Sequence, residues 1–215
     1  MHPPASSAFP LAPTPLCDLL GCRQPLILAG MGGVARSELL AAVTGAGGFG
    51  FLGMVREPGA LIRAEVARVR QRTSRPFGVN LIPAATPAAL RREQLALCIA
   101  LRVPVVGLFW EVDPAVIAQL REAGMLVVYQ VGSALEALQA QEAGAQVLIA
   151  LGVEAGGHAR GRQPLAELLE QVLAQGAQAA QLRDLLWRVD DASIRQDLAR
   201  MRQAHEACLA RICAR

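Results

Sequence analysis

The chain has 215 residues, 53% of them hydrophobic and 18% charged, and its 21 basic and 18 acidic residues leave a net charge of +3. That composition suits a single packed domain with at most a tail, and it excludes a disordered regulator. Every basic residue is Arg, and these stand singly or in short pairs, so the basic stripe of a nucleic-acid binder is absent.

No apolar run reaches about 18 residues without a Gly or a charge, so no membrane span is expected. The opening MHPPASSAFPLAPTP lacks a positive stretch followed by an apolar one and does not read as a secretory signal. Cys17, Cys22, Cys98, Cys208 and Cys213 are odd in number and form no CxxC or Cys/His pairing. They read as reduced thiols of a cytoplasmic protein, with no metal centre among them. Aromatics make up only 4%, so Ala, Leu and Val must build the core.

In chain order, the proline-rich residues 1–14 predict a flexible leader. From Pro25 a rhythm begins. Short apolar runs at 25–29, 48–52, 77–81, 103–109, 125–129 and 147–151 alternate with segments of helical period at 36–46, 57–72, 86–101, 113–123, 133–143 and 164–175. The runs are apolar nearly throughout, as strands covered on both faces require. Asp113-Pro114 and Ser133 sit where helix N-caps are favoured, and Gly124 and Gly144 where helices end. Six βα units in succession predict a parallel sheet, either doubly wound or a (β/α) barrel.

After Ala174 the rhythm stops. Residues 177–215 show only helical spacing, with one stripe of Leu182, Leu185, Leu186 and Val189 and a second of Ile194, Leu198 and Met201. They predict a helical tail, with Trp187 packing it against the body and His205 solvated. The domain reading is thus a leader (1–14), a barrel-like domain (15–176) and the tail.

The local signal richest in chemistry is Gly152-Val-Glu-Ala-Gly-Gly-His158, directly after the sixth run. The C-terminal ends of parallel strands hold ligands, and glycines there admit an anion or a planar ring to backbone amides. Glu154 and His158 suit a general base or an orienting group; a flexible turn with a solvated imidazole is the plainer alternative. Gly30, Gly32 and Gly33 follow the first run. Asn80 in the third and Gln130 after the fifth are polar groups in apolar surroundings that need hydrogen-bond partners, from protein or ligand. Trp110 suits stacking on a ligand or packing at the rim. Glu111 and Asp113 read as helix N-terminal charges and Cys98 as core.

Taken together, these segments resemble the nitronate monooxygenase family, flavin enzymes on a TIM barrel. The resemblance runs from Thr14 to Val172. It is carried by Pro25-Leu-Ile-Leu-Ala-Gly-Met31, Ala46-Gly-Gly48, Pro76-Phe-Gly-Val-Asn-Leu81, Ala143-Gly-Ala145 and Glu154-Ala-Gly-Gly-His158. Flavin-dependent enoyl-acyl carrier protein reductases look similar and share the last motif. The resemblance implies FMN as cofactor, with Gly30 and Met31 along one face, Asn80 hydrogen-bonded to it, and Gly156, Gly157 and Gln130 beside it. His158 matches the catalytic histidine, implied to take the α-proton of a nitroalkane or to orient its nitronate. A free imidazole is largely neutral, and so basic, at pH 7. The implied partners are nitronate or nitroalkane and O2.

The sequence departs from the family twice. Leu151 stands where relatives usually carry a Gln that touches the flavin. The loops after a seventh and eighth strand, which bind the FMN phosphate in relatives, do not appear after Ala174. A barrel of six strands leaves edges and an apolar hollow to cover, by the C-terminal helices or by a second copy in a homodimer. Three functions are open from the sequence: a working flavin oxidoreductase acting on nitronates, a truncated, catalytically silent relative serving as an interaction or vestigial protein, or a flavin-dependent enzyme like the enoyl-acyl carrier protein reductases.

Overall fold

The computed structural model describes residues 14–158 and 160–174. Most of the leader and all of the tail, with Trp187, His205, Cys208 and Cys213, lie outside the described residues.

Six strands alternate with helices: β1 Ile27–Leu28, β2 Phe49–Gly53, β3 Gly78–Leu81, β4 Val105–Phe109, β5 Leu126–Val131 and β6 Val147–Ala150. The helices are α1 Pro15–Leu20, α2 Ser37–Ala46, α3 Gly59–Arg72, α4 Ala88–Ala100, α5 Pro114–Glu122, α6 Ala134–Glu142 and α7 Leu165–Ala174. All strand pairs are parallel and the order is β1-β2-β3-β4-β5-β6. A doubly wound sheet reverses its strand order at a switch point. This one never does, so the sheet curls as a half-barrel and the doubly wound alternative falls away.

The apolar strands feed two cores. On the convex side Leu52, Val79, Leu81, Val106, Leu108, Val127 and Tyr129 pack against the helices through Leu40, Ile62, Val66, Leu95, Ile117 and Leu120. On the concave side Phe49, Phe51, Val105, Val128 and Val147 form a second cluster with Leu20. The register explains the partition, because side chains alternate between faces along each strand. Phe51 lies opposite Gly78, which lies opposite Val105, and all three face inward. A Cβ at Gly78 would overlap the Phe51 ring, so that ring takes the room two side chains would otherwise share.

Helix α1 and a short 3-10 turn at Pro83–Ala85 are the elements beyond the sequence expectation. Pro15 opens α1, and Gly21 at φ +66° closes it, its N–H donating to the Asp18 and Cys17 carbonyls. Leu16 and Leu20 join the concave cluster, so α1 stoppers the N-terminal end of the hollow and leaves the other end for the strand tips.

Helix starts follow the expected caps at α5 and α6, where Asp113 accepts from the Ala115 and Val116 N–H groups and Ser133 from that of Glu136. At α2 the N-cap position holds Arg36, which has no acceptor to offer. Glu65, on α3, supplies it instead, accepting the Ser37 N–H at 2.8 Å while Arg68 pairs with its other oxygen at 2.5 Å. Glu65 is only 3% exposed. Burial pushes its carboxyl up, but the Ser37 donors and Arg68 outweigh that and hold it below the ordinary carboxylate range.

A carboxyl lowered by folding stabilises the fold above its unfolded pKa, and that contribution fades as pH falls through the folded value. Glu65→Gln is therefore expected to cost about 1–2 kcal/mol at pH 7. Its gap from the parent should narrow in acid, as read by urea unfolding at a series of pH values.

Candidate functional site at the strand tips

The C-terminal tips of β1 to β6 carry the residues singled out by sequence. Register places Asn80 opposite Gly107, and Gln130 opposite both Phe109 and Ile149. Asn80 and Gln130 therefore share the concave face, with Gly107 between them contributing no side chain. The Gln130 Nε2 donates to Asn80 Oδ1 at 3.1 Å across that gap. A Cβ at Gly107 would stand 3.2 Å from Asn80 Oδ1 and 3.0 Å from the Phe51 ring, crowding both.

The β1 loop closes on the same pair. Asn80 Nδ2 reaches the Gly30 carbonyl at a long 3.5 Å, and a Cβ at Gly30 would overlap the Asn80 Cβ. Gly53 at the tip of β2 is likewise held against the Met31 carbonyl. Gly30, Asn80 and Gln130 thus meet at one point, with Met31 at the rim and 42% exposed. Asn80, at 5% exposure, is buried. Its Nδ2 is engaged only by that long contact, and the Gln130 carbonyl oxygen has no partner among the described residues.

His158 stands apart from the amide pair. The loop that carries it leaves β6, with Gly156 and Gly157 exposed, Gly157 at φ +78°, and open space where a Cβ would sit at either. The imidazole lies edge-on to the Trp110 indole, with centroids 6.1 Å apart and planes at 69°. Trp110 in turn meets Phe109 edge-on at 5.3 Å. Phe109 is the concave-face neighbour of Gln130, so an aromatic chain links the imidazole to the amides.

Glu154 is engaged elsewhere. Its carboxylate accepts from the Leu165 N–H at 3.0 and 3.3 Å and so caps α7. Asp113 is a helix cap, as the sequence suggested, and Cys98 is buried core. Leu151 donates its N–H to the Val131 carbonyl at 2.8 Å and brings no polar side chain to the rim.

Two participants were missed in the sequence. Tyr129, the sole tyrosine, is 1% exposed, and the single proton of its hydroxyl is shared between the Trp110 and Glu111 carbonyls, at 2.9 and 2.8 Å. Burial pushes that hydroxyl above its ordinary range, reinforced by the charges of Glu136 and Asp113. Trp110 has φ +77°, a conformation costing a non-glycine residue about 1–3 kcal/mol, and Tyr129 is the group that holds it there. Arg160 places its guanidinium 5.8 Å from the Trp110 centroid and pairs with Glu136 at 2.6 Å. A hydroxyl inside an apolar strand and an Arg two residues past the His were the available signals. Beside them Gly132, Ser133, Glu136, Arg160, Arg162 and Gln163 line a cavity of about 280 Å³.

Comparison with known proteins gives one family and several relatives. A family model described as nitronate monooxygenase matches residues 13–183. The chain is 36% identical over 145 residues to (3aS,4S,5R,7aS)-5-hydroxy-7a-methyl-1-oxo-octahydro-1H-indene-4-carboxyl-CoA dehydrogenase of Mycobacterium tuberculosis, covering 67% of this chain and 40% of that protein. Among solved structures, FabK from Thermotoga maritima aligns at a TM-score of 0.69 and 33% identity, covering 74% of this chain and 50% of its own. Nitroalkane oxidase from Streptomyces ansochromogenes aligns at 0.66 and 32%, covering 74% and 57%. The chain spans only about half the length of these proteins.

Tyr129→Phe is expected to lower stability by about 1–2 kcal/mol in urea unfolding, by leaving two carbonyls short of a donor. It should also alter the near-ultraviolet circular dichroism of Trp110. An unchanged spectrum would refute the clamp.

Proposed function

The chain belongs to the nitronate monooxygenase family, and we propose that it is an FMN-dependent oxidoreductase that oxidises nitronates or nitroalkanes with O2. The observation that carries this reading is the amide pair of Asn80 and Gln130 at the mouth of the half-barrel. The hydrogen-bonding capacity these amides keep beyond their mutual bond and the long Gly30 contact would match the alternating N–H and C=O edge of a flavin ring, and Gly30 brings bare backbone to the same point. These residues fit the ring. Gly30, Met31, Asn80 and Gln130 would hold it, with Gly156 and Gly157 in the loop above.

When bound, the flavin supplies the two-electron redox chemistry. The protein's own residues do the rest. Gln130 and Asn80 fix each other's amide orientation and so present a preformed polar edge. Phe109, Phe51 and Val128 keep water from the hollow beneath it. His158, on its glycine loop, takes the α-proton of a neutral nitroalkane or orients the anionic nitronate. Residues 15–176 are the unit assigned to this task, and the substrate is a small molecule.

A second reading is favoured by the 36% identity to a carboxyl-CoA dehydrogenase: the same site would serve a thioester substrate, as in the enoyl-acyl carrier protein reductases that share the 154–158 motif. His158 would then protonate or deprotonate carbon beside the thioester carbonyl.

After addition of FMN and desalting, the purified protein is expected to keep the absorbance bands of a bound flavin; a colourless protein overturns the flavin reading. His158→Ala is expected to slow turnover of neutral nitroalkane by about 10²-fold or more, with a much smaller effect on preformed nitronate. Equal losses on both substrates would contradict proton abstraction.

A further inference from the structure

The backbone at the end of β4 does something a strand end does not require. Phe109 faces the hollow, so an extended residue 110 would alternate to the helix side. Instead Trp110 takes φ +77°, where a glycine or asparagine would be at ease and an indole is not. The turn throws the ring onto the rim, toward the loop that leaves β6. The sole tyrosine commits its buried hydroxyl to the two carbonyls of that turn. A residue that merely packed the rim would need neither the strained backbone nor the clamp.

What the indole meets there is specific. The His158 imidazole rests edge-on against it, at 6.1 Å. The Arg160 guanidinium lies over the ring, at 5.8 Å. Arg160 is itself fixed from the other side, its Nε 2.6 Å from Glu136, whose second oxygen accepts the Gly132 N–H at 2.8 Å. His158 and Arg160 are therefore held on one indole, the imidazole in a T-shaped contact and the guanidinium over the ring. The loop is fastened as far as Ala155, by the Val153 and Ala155 N–H groups and the Glu154 carboxylate, and Gly156 and Gly157, between that point and the seat, are exposed and unhindered.

We propose that Trp110 is a positioning residue: its indole seats His158 and Arg160 together, and so fixes where the imidazole stands at the rim. The proposal deepens the reading of His158 as the proton-handling group and rests on it for its catalytic consequence, but not for the seat itself. A T-shaped aromatic pair and a cation over an indole are each modest attractions. Acting on residues two apart, they remove most of the freedom that the preceding glycines give the loop.

The seat is tested without flavin or substrate, by the ring proton resonances of His158 in protein labelled at histidine and assigned with His158→Gln. In the parent those resonances are expected to be displaced from the values of a solvated imidazole by the indole ring current. Trp110→Leu is expected to return them to solvated values, and Trp110→Phe to keep much of the displacement. Arg160→Gln, which leaves the indole in place, is expected to reduce it. His158 resonances that are the same in the parent and in Trp110→Leu overturn the proposal, whether or not the protein binds FMN. On nitroalkane, Trp110→Leu is expected to lower kcat by about tenfold or more with little change in KM, and Trp110→Phe to restore most of it. A fall confined to KM would assign Trp110 to substrate binding and overturn the positioning role. A parent that stays colourless with FMN would count against the proposed function alone, since the resonances decide the seat on their own.

Discussion

One hydrogen bond organises the mouth of this half-barrel: Gln130 donating to Asn80 across the bare backbone of Gly107. Curling a parallel sheet forces concave-face side chains together, and polar groups placed there lose water. Leaving such a group unpaired costs about 1–3 kcal/mol. The two amides largely offset that cost with each other, and the Asn80 Nδ2 adds a long contact to the Gly30 carbonyl. Gly107 is what makes the exchange possible. Lower in the hollow Gly78 plays the matching part for the Phe51 ring, so bareness at these two positions lets an aromatic plug fill the floor while a polar edge lines the mouth.

The rim above that edge is tied down by charged side chains working on backbone groups. Arg36 donates to the Gly53 carbonyl at 3.2 Å and pairs with Glu57 at 2.5 Å. Gln94, buried under α4, donates to the Met54 and Glu57 carbonyls at 3.1 and 2.8 Å. On the far side Glu136 and Glu154 accept backbone N–H groups at the starts of α6 and α7. This gives physical meaning to the scattered arginines. Arg70 donates to the Leu101 and Arg102 carbonyls past the end of α4, and Arg23 to the Gly45 carbonyl at the end of α2. A planar guanidinium with several donors suits orphan carbonyls at helix ends, so these side chains serve the fold rather than a phosphate backbone.

The βα rhythm was legible because strands buried on both faces must be apolar throughout, and every one of the six appears within a few residues of its expected place. The rhythm alone left barrel against doubly wound sheet open, since both share that pattern and differ only in which neighbours pair; the motifs that resemble a TIM-barrel family pointed to the barrel, and the strand order agrees. Helix α1 escaped because its six residues are too few to show a period. Its signals were the proline that opens it and the glycine that ends it. At the site, Gly30, Asn80 and Gln130 were legible as glycine or amide breaking an apolar run. Their meeting was not, because it depends on register and on Gly107. Glu154 was read beside His158 as a candidate for chemistry, and its engagement with α7 emerged only with the helix in place. Tyr129 hid in an apolar strand, where a tyrosine reads as one more core residue until its hydroxyl finds a turn to hold.

Position 151 brings these constraints to bear on the cofactor. In the sequence pattern of the family a Gln there would add a third amide to the rim; here Leu151 adds only its backbone N–H, already given to Val131. On the proposed flavin reading, polar recognition of the ring would therefore fall to Asn80 and Gln130, each of which has given part of its hydrogen-bonding capacity to the other. Their mutual bond is also what keeps the edge preformed, so a ligand meets oriented groups and spends little on ordering them. Losing one amide partner of about 1–3 kcal/mol is thus set against rigidity in the two that remain. The charged end of a flavin would need its own anchor, which these two residues do not provide. Ring recognition and phosphate recognition are separable tasks in this fold, and the proposed flavin reading assigns only the first to these strand tips.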